Sequence, residues 1–294
     1  MITSDPDELF DPGVLRRYEA ASLLARRLAR GGSRAERRSH ARGAGVEFAE
    51  YRPLVAGDDW RHIDWHAYAR WRQLVLKLFV EEEDLHLHLL LDCSRSMDWG
   101  HPAKFDQARR LLGGLAYIAL ANLDRAGFVP LGGGRGIPPG RGRERLSSFL
   151  AALAACPLNP EARPLEDSVR SWLSTRPRRG FVILLSDLFG TSTEDALRAL
   201  DRLRHAGHEV AALQILAPDE TTRPPPGEYE IEDCESGRVL RVVVDPQAAE
   251  AFAARASSFL ESIDRGVRSR GIAFLRSGNE TPIEQVFSSV LSWQ

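Results

Sequence analysis

From Leu85 to Arg276 the chain alternates short, strongly apolar segments with longer amphipathic ones, and this alternation constrains the fold more than any other feature. The apolar segments are typical of buried strands, and the segments between them predict helices. Strands separated by helices pair in parallel, with helices covering both faces of the sheet. We therefore predict an α/β domain with a mainly parallel central sheet. The predicted strands are 85–91, 127–131, 181–185, 209–216 and 272–276.

The part of the chain before this alternation is organised differently. We predict a helix over residues 11–30, because Asp11 can cap it and Pro12 suits the first helical position. Leu15, Leu23, Leu24 and Leu28 would form its apolar side. Residues 43–84 are irregular apart from a predicted strand over 74–80. We therefore divide the chain into an N-terminal helix and extension, 1–84, and an α/β domain, 85–294.

A hairpin is inserted late in the α/β domain. Residues 228–232 and 238–244 are strand-like and flank Glu235-Ser236-Gly237, which predicts a turn with glycine. A long helix then begins at Asp245-Pro246. Thr281-Pro282-Ile283-Glu284 predicts a capping box that opens the final helix.

Composition excludes several classes of protein. The net charge is −2, so no field of the whole chain favours nucleic acid or an acidic membrane. No basic stretch followed by an apolar core opens the chain, and no apolar run approaches the roughly 18 residues that span a bilayer. Cys93, Cys156 and Cys234 lie far apart and form no zinc-binding spacing. These features predict a cytoplasmic protein with reduced thiols and no membrane span.

Basic residues concentrate in one region. Nine arginines and two acids lie between Arg16 and Arg42. A solvated helix face followed by a linker explains such a run, and this is the interpretation we favour. The alternative is a contact surface for an acidic partner or nucleic acid.

The strongest candidate site follows the first strand of the α/β domain. Asp92-x-Ser94-x-Ser96 lies between a strand and a helix, and Asp187 ends another buried strand. A parallel sheet opens its ligand crevice at the carboxyl ends of its strands. Oxygen ligands of this kind suit a hard cation such as Mg²⁺ or Mn²⁺. The alternative is that these side chains only cap free backbone N–H groups.

The motif Asp92-Cys93-Ser94-Arg95-Ser96-Met97 resembles the metal-ion-dependent adhesion site of von Willebrand factor A domains. Further segments between residues 38 and 276 resemble the bacterial family called domain of unknown function 58. These segments are Glu47-Phe48, Arg52-Pro53, Gly57-Asp58-Asp59, Arg61, Ile63-Asp64-Trp65, Ala69-Arg70, Lys77, Phe79, Glu81, Glu83, Ser186-Asp187 and the hairpin at Glu235-Ser236-Gly237.

The resemblance implies a Rossmann-like von Willebrand factor A domain with an N-terminal extension. It implies a metal site made of Asp92, Ser94, Ser96 and Asp187, with Mg²⁺ or Mn²⁺ as the ion. It also implies a MoxR-type AAA+ ATPase as partner and a non-enzymatic adaptor role. Many members carry N-terminal membrane anchors, whereas this chain resembles the short soluble class.

The chain departs from the complete metal site in the second loop. The site includes a threonine there, and residues 160–167 contain none. Arg163 would bring a positive charge that opposes a cation, while Glu161 or Asp167 would offer a replacement oxygen. The sequence leaves both a metal-loaded and a metal-free site open.

Enzymatic alternatives find less support. A haloacid-dehalogenase-type phosphatase needs a second aspartate where Ser94 stands. His86 and His88 alternate along a strand and should pack on one face, so neither pairs with Ser94 or Ser96 as a catalytic base. Gly132–Gly136 lacks the Gly-Lys-Ser/Thr of a phosphate-binding loop and is interpreted as a surface loop. We predict no intrinsic turnover, with a metal-dependent hydrolase as the alternative.

The extension carries a block of mixed charge between Asp58 and Arg70. We favour a paired network that fixes the extension, aided by Trp60, Trp65 and Trp71, because charges that are partly buried need partners. The alternative is a docking surface for another protein.

Overall fold

The computed structural model describes residues 9–31, 42–43, 47–55, 58–80, 86–122, 124–159, 163–189, 192–233 and 237–292. They form two compact units, one made of residues 27–84 and the other of the remainder of the chain. The sequence predicted a division at residue 84. The structure instead groups the first helix, as far as Arg26, with the α/β unit.

The helices are α1 (Pro12–Gly31), α2 (Trp65–Trp71), α3 (Lys104–Ala121), α4 (Leu146–Ala154), α5 (Leu165–Ser174), α6 (Thr193–His205), α7 (Pro246–Arg268) and α8 (Ile283–Leu291). The strands are β1 (Arg42–Gly43), β2 (Glu47–Pro53), β3 (Val75–Val80), β4 (His86–Asp92), β5 (Arg125–Leu131), β6 (Ile137–Gly140), β7 (Phe181–Ser186), β8 (Glu209–Leu216), β9 (Gly227–Glu232), β10 (Val239–Val244) and β11 (Ala273–Gly278).

The α/β unit is built on a six-stranded sheet in the order β11-β8-β7-β4-β5-β6. Its first five strands are parallel, and β6 is antiparallel to β5. The predicted neighbours β4 and β7 pair from Leu87 opposite Phe181 to Leu91 opposite Leu185. The fold class is therefore confirmed as a Rossmann-like α/β domain with a mainly parallel sheet.

The order in which the strands are added places the candidate site. From β4 the chain moves to β5 and β6 on one side, and then crosses to β7, β8 and β11 on the other. The connections after β4 and β7 thus leave the sheet in opposite directions, which opens a crevice between their carboxyl ends. Asp92 and Asp187 lie at these two ends.

Helices cover both faces of the sheet and bury two apolar layers. On one face α1, α3, α4 and α8 pack around a cluster that includes Tyr18, Leu111 and Phe287. On the other face α5, α6 and α7 pack around Val169, Leu200 and Ile263. Because β4 and β7 are buried on both sides, their sequences are continuous apolar runs rather than alternating ones.

Two details at the helix termini differ from the sequence predictions. Asp11 caps α1 as expected, accepting the N–H of Val14 at 3.0 Å. The predicted apolar side of α1 is wrong in part, because Leu23 is exposed while Val14, Tyr18 and Ala21 supply the buried stripe; the side chains of Leu24 and Leu28 lie outside the described residues. The predicted capping box of α8 does not form, since the Thr281 hydroxyl instead accepts the N–H of Gly278 at 3.1 Å.

Two strands lie where the sequence predicted irregular structure or a loop. In the unit of residues 27–84, β2 pairs antiparallel with β3. In the α/β unit, β6 pairs with β5 inside the segment 132–142. Both strands lie at sheet edges and contain proline, which has no N–H to donate and weakens the strand signal. The inserted hairpin is confirmed as the antiparallel pair β9–β10.

Within the part of the chain that the structure describes, no helix has the length and apolar character needed to cross a bilayer. The most buried helix, α3, still carries charged residues at its start, including Lys104 and Asp106.

One glycine of α3 gives a packing prediction. A Cβ added at Gly114 would lie 2.9 Å from Cδ1 of Tyr18 and closer still to Cζ of Phe287, both in the core. Alanine normally stabilises a helix by about 1 kcal/mol relative to glycine. Overpacking a core costs about 1–3 kcal/mol, so we expect Gly114→Ala to lower the free energy of unfolding. Urea denaturation would check this, and an unchanged or raised midpoint would contradict the packing described.

Candidate functional site

Asp92 is held at the carboxyl end of β4 by bonds to both of its oxygens. Its Oδ1 accepts the N–H of Ser94 at 2.9 Å, and its Oδ2 accepts the hydroxyl of Ser186 at 2.6 Å. Ser186 in turn accepts the N–H of Leu188 at 2.9 Å. Burial, and then the charge of Asp187, raise the pKa of Asp92. The first and third loops of the edge are thus joined through one buried carboxyl group.

Ser94 and Ser96 lie above Asp92 at the rim of the sheet. Their hydroxyl oxygens are 3.0 Å apart and half-buried. The 3₁₀ turn Arg95–Asp98 places them on the same side of the loop. Trp99 follows this turn, and its indole Nε1–H donates to Asp219 at 3.0 Å. The loop is therefore fixed at both ends by hydrogen bonds.

Asp187 lies in a buried ion cluster. Its Oδ1 accepts the N–H of Phe189 at 3.0 Å, and its Oδ2 accepts Nζ of Lys104 at 2.7 Å. The same ammonium donates to Oε1 of Glu220. The Lys104 side chain is 0% exposed and that of Asp187 is 1% exposed. A cation from the start of α3 thus joins the end of β7 to the turn after β8.

Glu220 is fixed on its other side as well. Its Oε2 accepts the N–H of Ala217 at 2.7 Å, which closes the turn after β8. Burial raises the pKa of Glu220, and the charge of Lys104 opposes that shift. The main-chain oxygen of Asp187 also accepts Nε2 of Gln214 at 2.8 Å. Both carboxylates that face Lys104 are therefore oriented by backbone and amide contacts.

Sequence reasoning missed Lys104 and Glu220. The one available signal was composition, because Lys104 is one of two lysines among the 39 basic residues of the chain. The structure shows that this lysine occupies a buried position between carboxylates, where side-chain size matters.

The donor set at this edge does not fit Mg²⁺ or Mn²⁺. A divalent ion is held by carboxylate charge that no other cation balances. Oδ2 of Asp187 is bonded to the Lys104 ammonium, and both oxygens of Asp92 accept hydrogen bonds. Among the residues described, no three His, Cys, Asp or Glu side chains are grouped so that they could hold a metal.

In the part of the second loop that the structure describes, the candidate ligand Asp167 is engaged elsewhere. Asp167 pairs with Arg170 at 2.5 Å on the exposed side of α5, and Arg163 is exposed. Glu161 lies outside the described residues. Asn159 reaches the edge through its backbone, donating its N–H to the carbonyl of Cys93 at 2.6 Å. The described part of the loop therefore supports the end of β4 with a backbone amide.

The histidines lie at the opposite end of β4 from the serines. His86 and His88 stack with ring centroids 6.3 Å apart, as predicted for one face of the strand. His88 also contacts Trp172 and His208. The Ser94 and Ser96 hydroxyls bond to each other, and the N–H of Ser94 donates to Asp92, at the carboxyl end of β4. An activated nucleophile instead needs a base beside it.

The cysteines of the edge form a buried pair. Sγ of Cys93 lies 3.8 Å from Sγ of Cys156. The hydrogen bond with Cys156 and then burial raise the pKa of the Cys93 thiol. Both thiols are free, as predicted, and Cys234 lies outside the described residues.

The two charge-rich regions noted in the sequence are described in part. Most of the run from Arg16 to Arg42 lies outside the described side chains, and Arg17 pairs with Glu284 at 3.2 Å. In the block from Asp58 to Arg70 the acids have local partners. Asp58 accepts Nη2 of Arg52 at 2.7 Å, and Asp64 caps α2 and accepts the Tyr51 hydroxyl at 2.8 Å. These contacts favour the paired network within this unit. Trp60, Trp65 and Trp71, which were expected to aid it, are exposed.

Comparison with solved structures finds distant likenesses. The BatB protein of Bacteroides thetaiotaomicron is 18% identical, with a TM-score of 0.42, over 70% of this chain and 97% of that one. The manganese-loaded TRAP protein of Plasmodium vivax is 20% identical, with a TM-score of 0.32, over 45% of this chain and 57% of that one.

Sequence comparison is more informative. An uncharacterised protein of Mycobacterium tuberculosis is 28% identical over 240 residues, which cover 79% of this chain and 74% of the relative. An uncharacterised protein of Mycobacterium avium is 27% identical over 141 residues, covering 47% of this chain and 82% of that one. The model of one family matches residues 50–259, well over half of the chain. The chain belongs to this family, which is described as Protein of unknown function DUF58.

Proposed function

We propose that this protein is a non-enzymatic interaction module that binds a MoxR-type AAA+ ATPase in the cytoplasm. The ATPase comes from the family resemblance of the sequence. The contact is made by the carboxyl-edge surface, which we define as Ser94, Ser96, Trp99 and Asp219. Asp92 and Asp187 lie beneath this surface and hold its loops in place.

The observation that carries the proposal is the exposure of Trp99. Its side chain is 55% exposed although its indole N–H is fixed by Asp219. Tryptophan is among the residues that contribute most to binding at protein interfaces. A side chain that is already held in place loses less entropy when a partner covers it. The two serine hydroxyls beside it supply oriented hydrogen-bonding groups.

The chemistry of the edge supports binding rather than turnover. The Ser94 and Ser96 hydroxyls bond to each other, and the Lys104 ammonium is engaged by two carboxylates. General acid–base or nucleophilic catalysis requires a group within reach of a base that activates it. Phosphatase or protease activity of the pure protein that is lost in Asp92→Asn would overturn the proposal in favour of a hydrolase.

We expect Trp99→Ala to weaken binding to the ATPase by about 30-fold, since truncating a central interface anchor typically costs about 2 kcal/mol. The double variant Ser94→Ala/Ser96→Ala should weaken it by about 10-fold, because each lost hydrogen bond contributes about 1 kcal/mol or less. Surface plasmon resonance with the immobilised MoxR-type ATPase of the same organism measures both effects.

His205→Ala and Ser269→Ala provide matched controls, because both residues are exposed at the ends of helices that lead to the amino ends of β8 and β11. Neither should change the dissociation constant. Unchanged binding by folded Trp99→Ala and by the serine double variant would place the interface elsewhere. The block from Asp58 to Arg70 in the other unit would then be the next surface to test.

A further inference from the structure

Lys104 occupies a position that is unfavourable for a lysine unless its charge is well paired. Its side chain is 0% exposed, and removing an ammonium from water costs several kcal/mol unless it is well paired. The pairing is extensive. Nζ donates to Asp187 at 2.7 Å and to Glu220, and the ring of Phe189 lies 5.4 Å away.

Lysine at this position is unusual for this chain, in which nearly all basic residues are arginines. Of the 39 basic residues, 2 are lysines, Lys77 and Lys104. An ammonium is a compact point charge with three donors, whereas a guanidinium is a planar fork with five. The space between Asp187, Glu220 and Phe189 is enclosed, so it accepts the smaller cation. The size of the ammonium thus suits this position better than that of a guanidinium.

The ammonium also joins the segments that form the edge. Lys104 begins α3, Asp187 follows β7, and Glu220 ends the 3₁₀ turn Pro218–Glu220 after β8. A divalent ion bound at the carboxyl edge of an α/β sheet would join loops from different strands in the same way, through carboxylate oxygens.

We propose that Lys104 is the built-in cation of this edge and replaces a divalent metal ion. Its ammonium balances the buried carboxylates and fixes the three loops, so the site keeps its shape with no metal bound. A partner protein would then not bind this edge through a metal ion that its own carboxylate coordinates. The inference concerns the charge of the site itself, and it holds whether or not the proposed ATPase binds there.

The first test uses the wild-type protein alone. Electron paramagnetic resonance of free Mn²⁺, titrated with protein, measures how much of the ion is bound. We expect no stoichiometric binding at millimolar Mn²⁺, and a melting temperature that EDTA and Mg²⁺ leave unchanged. Binding of one Mn²⁺ per chain that is abolished in Asp92→Asn would overturn the proposal.

The second test removes the ammonium. In Lys104→Met the carboxylates of Asp187 and Glu220 have no internal cation, so we expect Mn²⁺ to raise the melting temperature of this variant but not that of the wild type. If the variant folds only when Mn²⁺ is present, that result supports the same conclusion. A folded variant that does not respond to Mn²⁺ would reduce Lys104 to an ordinary buried ion pair and would overturn the proposal. If it does not fold at all, the wild-type titration still decides.

Because both tests are made on the isolated protein, their failure is distinct from failure of the proposed function. Loss of ATPase binding in Trp99→Ala would say nothing about metal binding, which the Mn²⁺ titration measures separately. Conversely, a wild-type protein that binds Mn²⁺ would overturn the proposal for Lys104, but the carboxyl-edge surface would still be a candidate interface.

Discussion

Lys104→Met is expected to lower the free energy of unfolding by about 3–5 kcal/mol at neutral pH without added metal, the range found when one partner of a buried ion pair is removed. The loss comes from Asp187 and Glu220, which stay buried without a counter-charge. Methionine has nearly the same length, so little of the effect comes from a cavity. Urea denaturation followed by circular dichroism measures the change.

The control for this prediction is an ion pair of the same kind at the surface. Arg17 and Glu284 lie 3.2 Å apart, with side chains 53% and 47% exposed. Arg17→Met should cost about 1 kcal/mol or less, because exposed pairs are screened and lose side-chain entropy. If the two variants lose similar stability, the cluster around Lys104 is not the strong internal contact described above.

Asp92 and Asp187 could be found from the sequence because the relevant signals are local. Each follows a continuous apolar run, and such a run within an alternating strand–helix pattern predicts a buried parallel strand. The carboxyl ends of neighbouring parallel strands share one edge of the sheet, so the two aspartates were expected to lie close together. Pairing of β4 with β7 confirms that reasoning.

The partners of these aspartates could not be predicted in the same way. Lys104 meets Asp187 across 83 positions and Glu220 across 116, and no local pattern marks which side chain reaches between them. Its position at the start of α3 resembles that of an ordinary solvated helix terminus. Lys104 differs from a solvated helix terminus only in the folded protein, where the loops after β7 and β8 cover its side chain.

The missed strands have a related explanation. β6 has the sequence Ile-Pro-Pro-Gly, which carries proline and glycine where a central strand would carry β-branched residues. It forms because β5 presents a free edge to it, with Ala126 opposite Gly140 and Phe128 opposite Ile137. An edge strand depends on its neighbour more than on its own propensity, so the sequence alone does not reveal it.

The histidine cluster at the other end of β4 predicts how stability depends on pH. His88 is 2% exposed, and its Nε2 lies 2.9 Å from the carbonyl of Arg178. Burial lowers the pKa of His88 from 6.5 to about 4, and the hydrogen bond with Arg178 opposes that shift while His208 and His86 add to it. The folded protein therefore keeps this imidazole neutral at pH values where the unfolded chain protonates it.

The sign of the effect follows from proton linkage. Between pH 6.5 and about 4 the unfolded state binds a proton that the folded state does not, so the free energy of unfolding falls as the pH falls. The stabilisation that comes from neutral His88 is fully present above pH 6.5. Between pH 6.5 and about 4 the free energy of unfolding falls by about 3 kcal/mol on its account, since one pH unit corresponds to about 1.4 kcal/mol. Burial also lowers the pKa of His86 and His208, which act in the same direction.

We expect His88→Gln to flatten the stability profile between pH 6.5 and 5.0, where the contribution of His88 to the free energy of unfolding changes by about 2 kcal/mol. Glutamine keeps a donor for the carbonyl of Arg178 but does not titrate. His205→Gln is the matched control, because His205 is exposed at the end of α6 and should leave the slope unchanged. Urea midpoints at several pH values give the slopes. Equal slopes for the wild type and His88→Gln would show that His88 is protonated in the folded state, against the burial and contacts that the structure gives it.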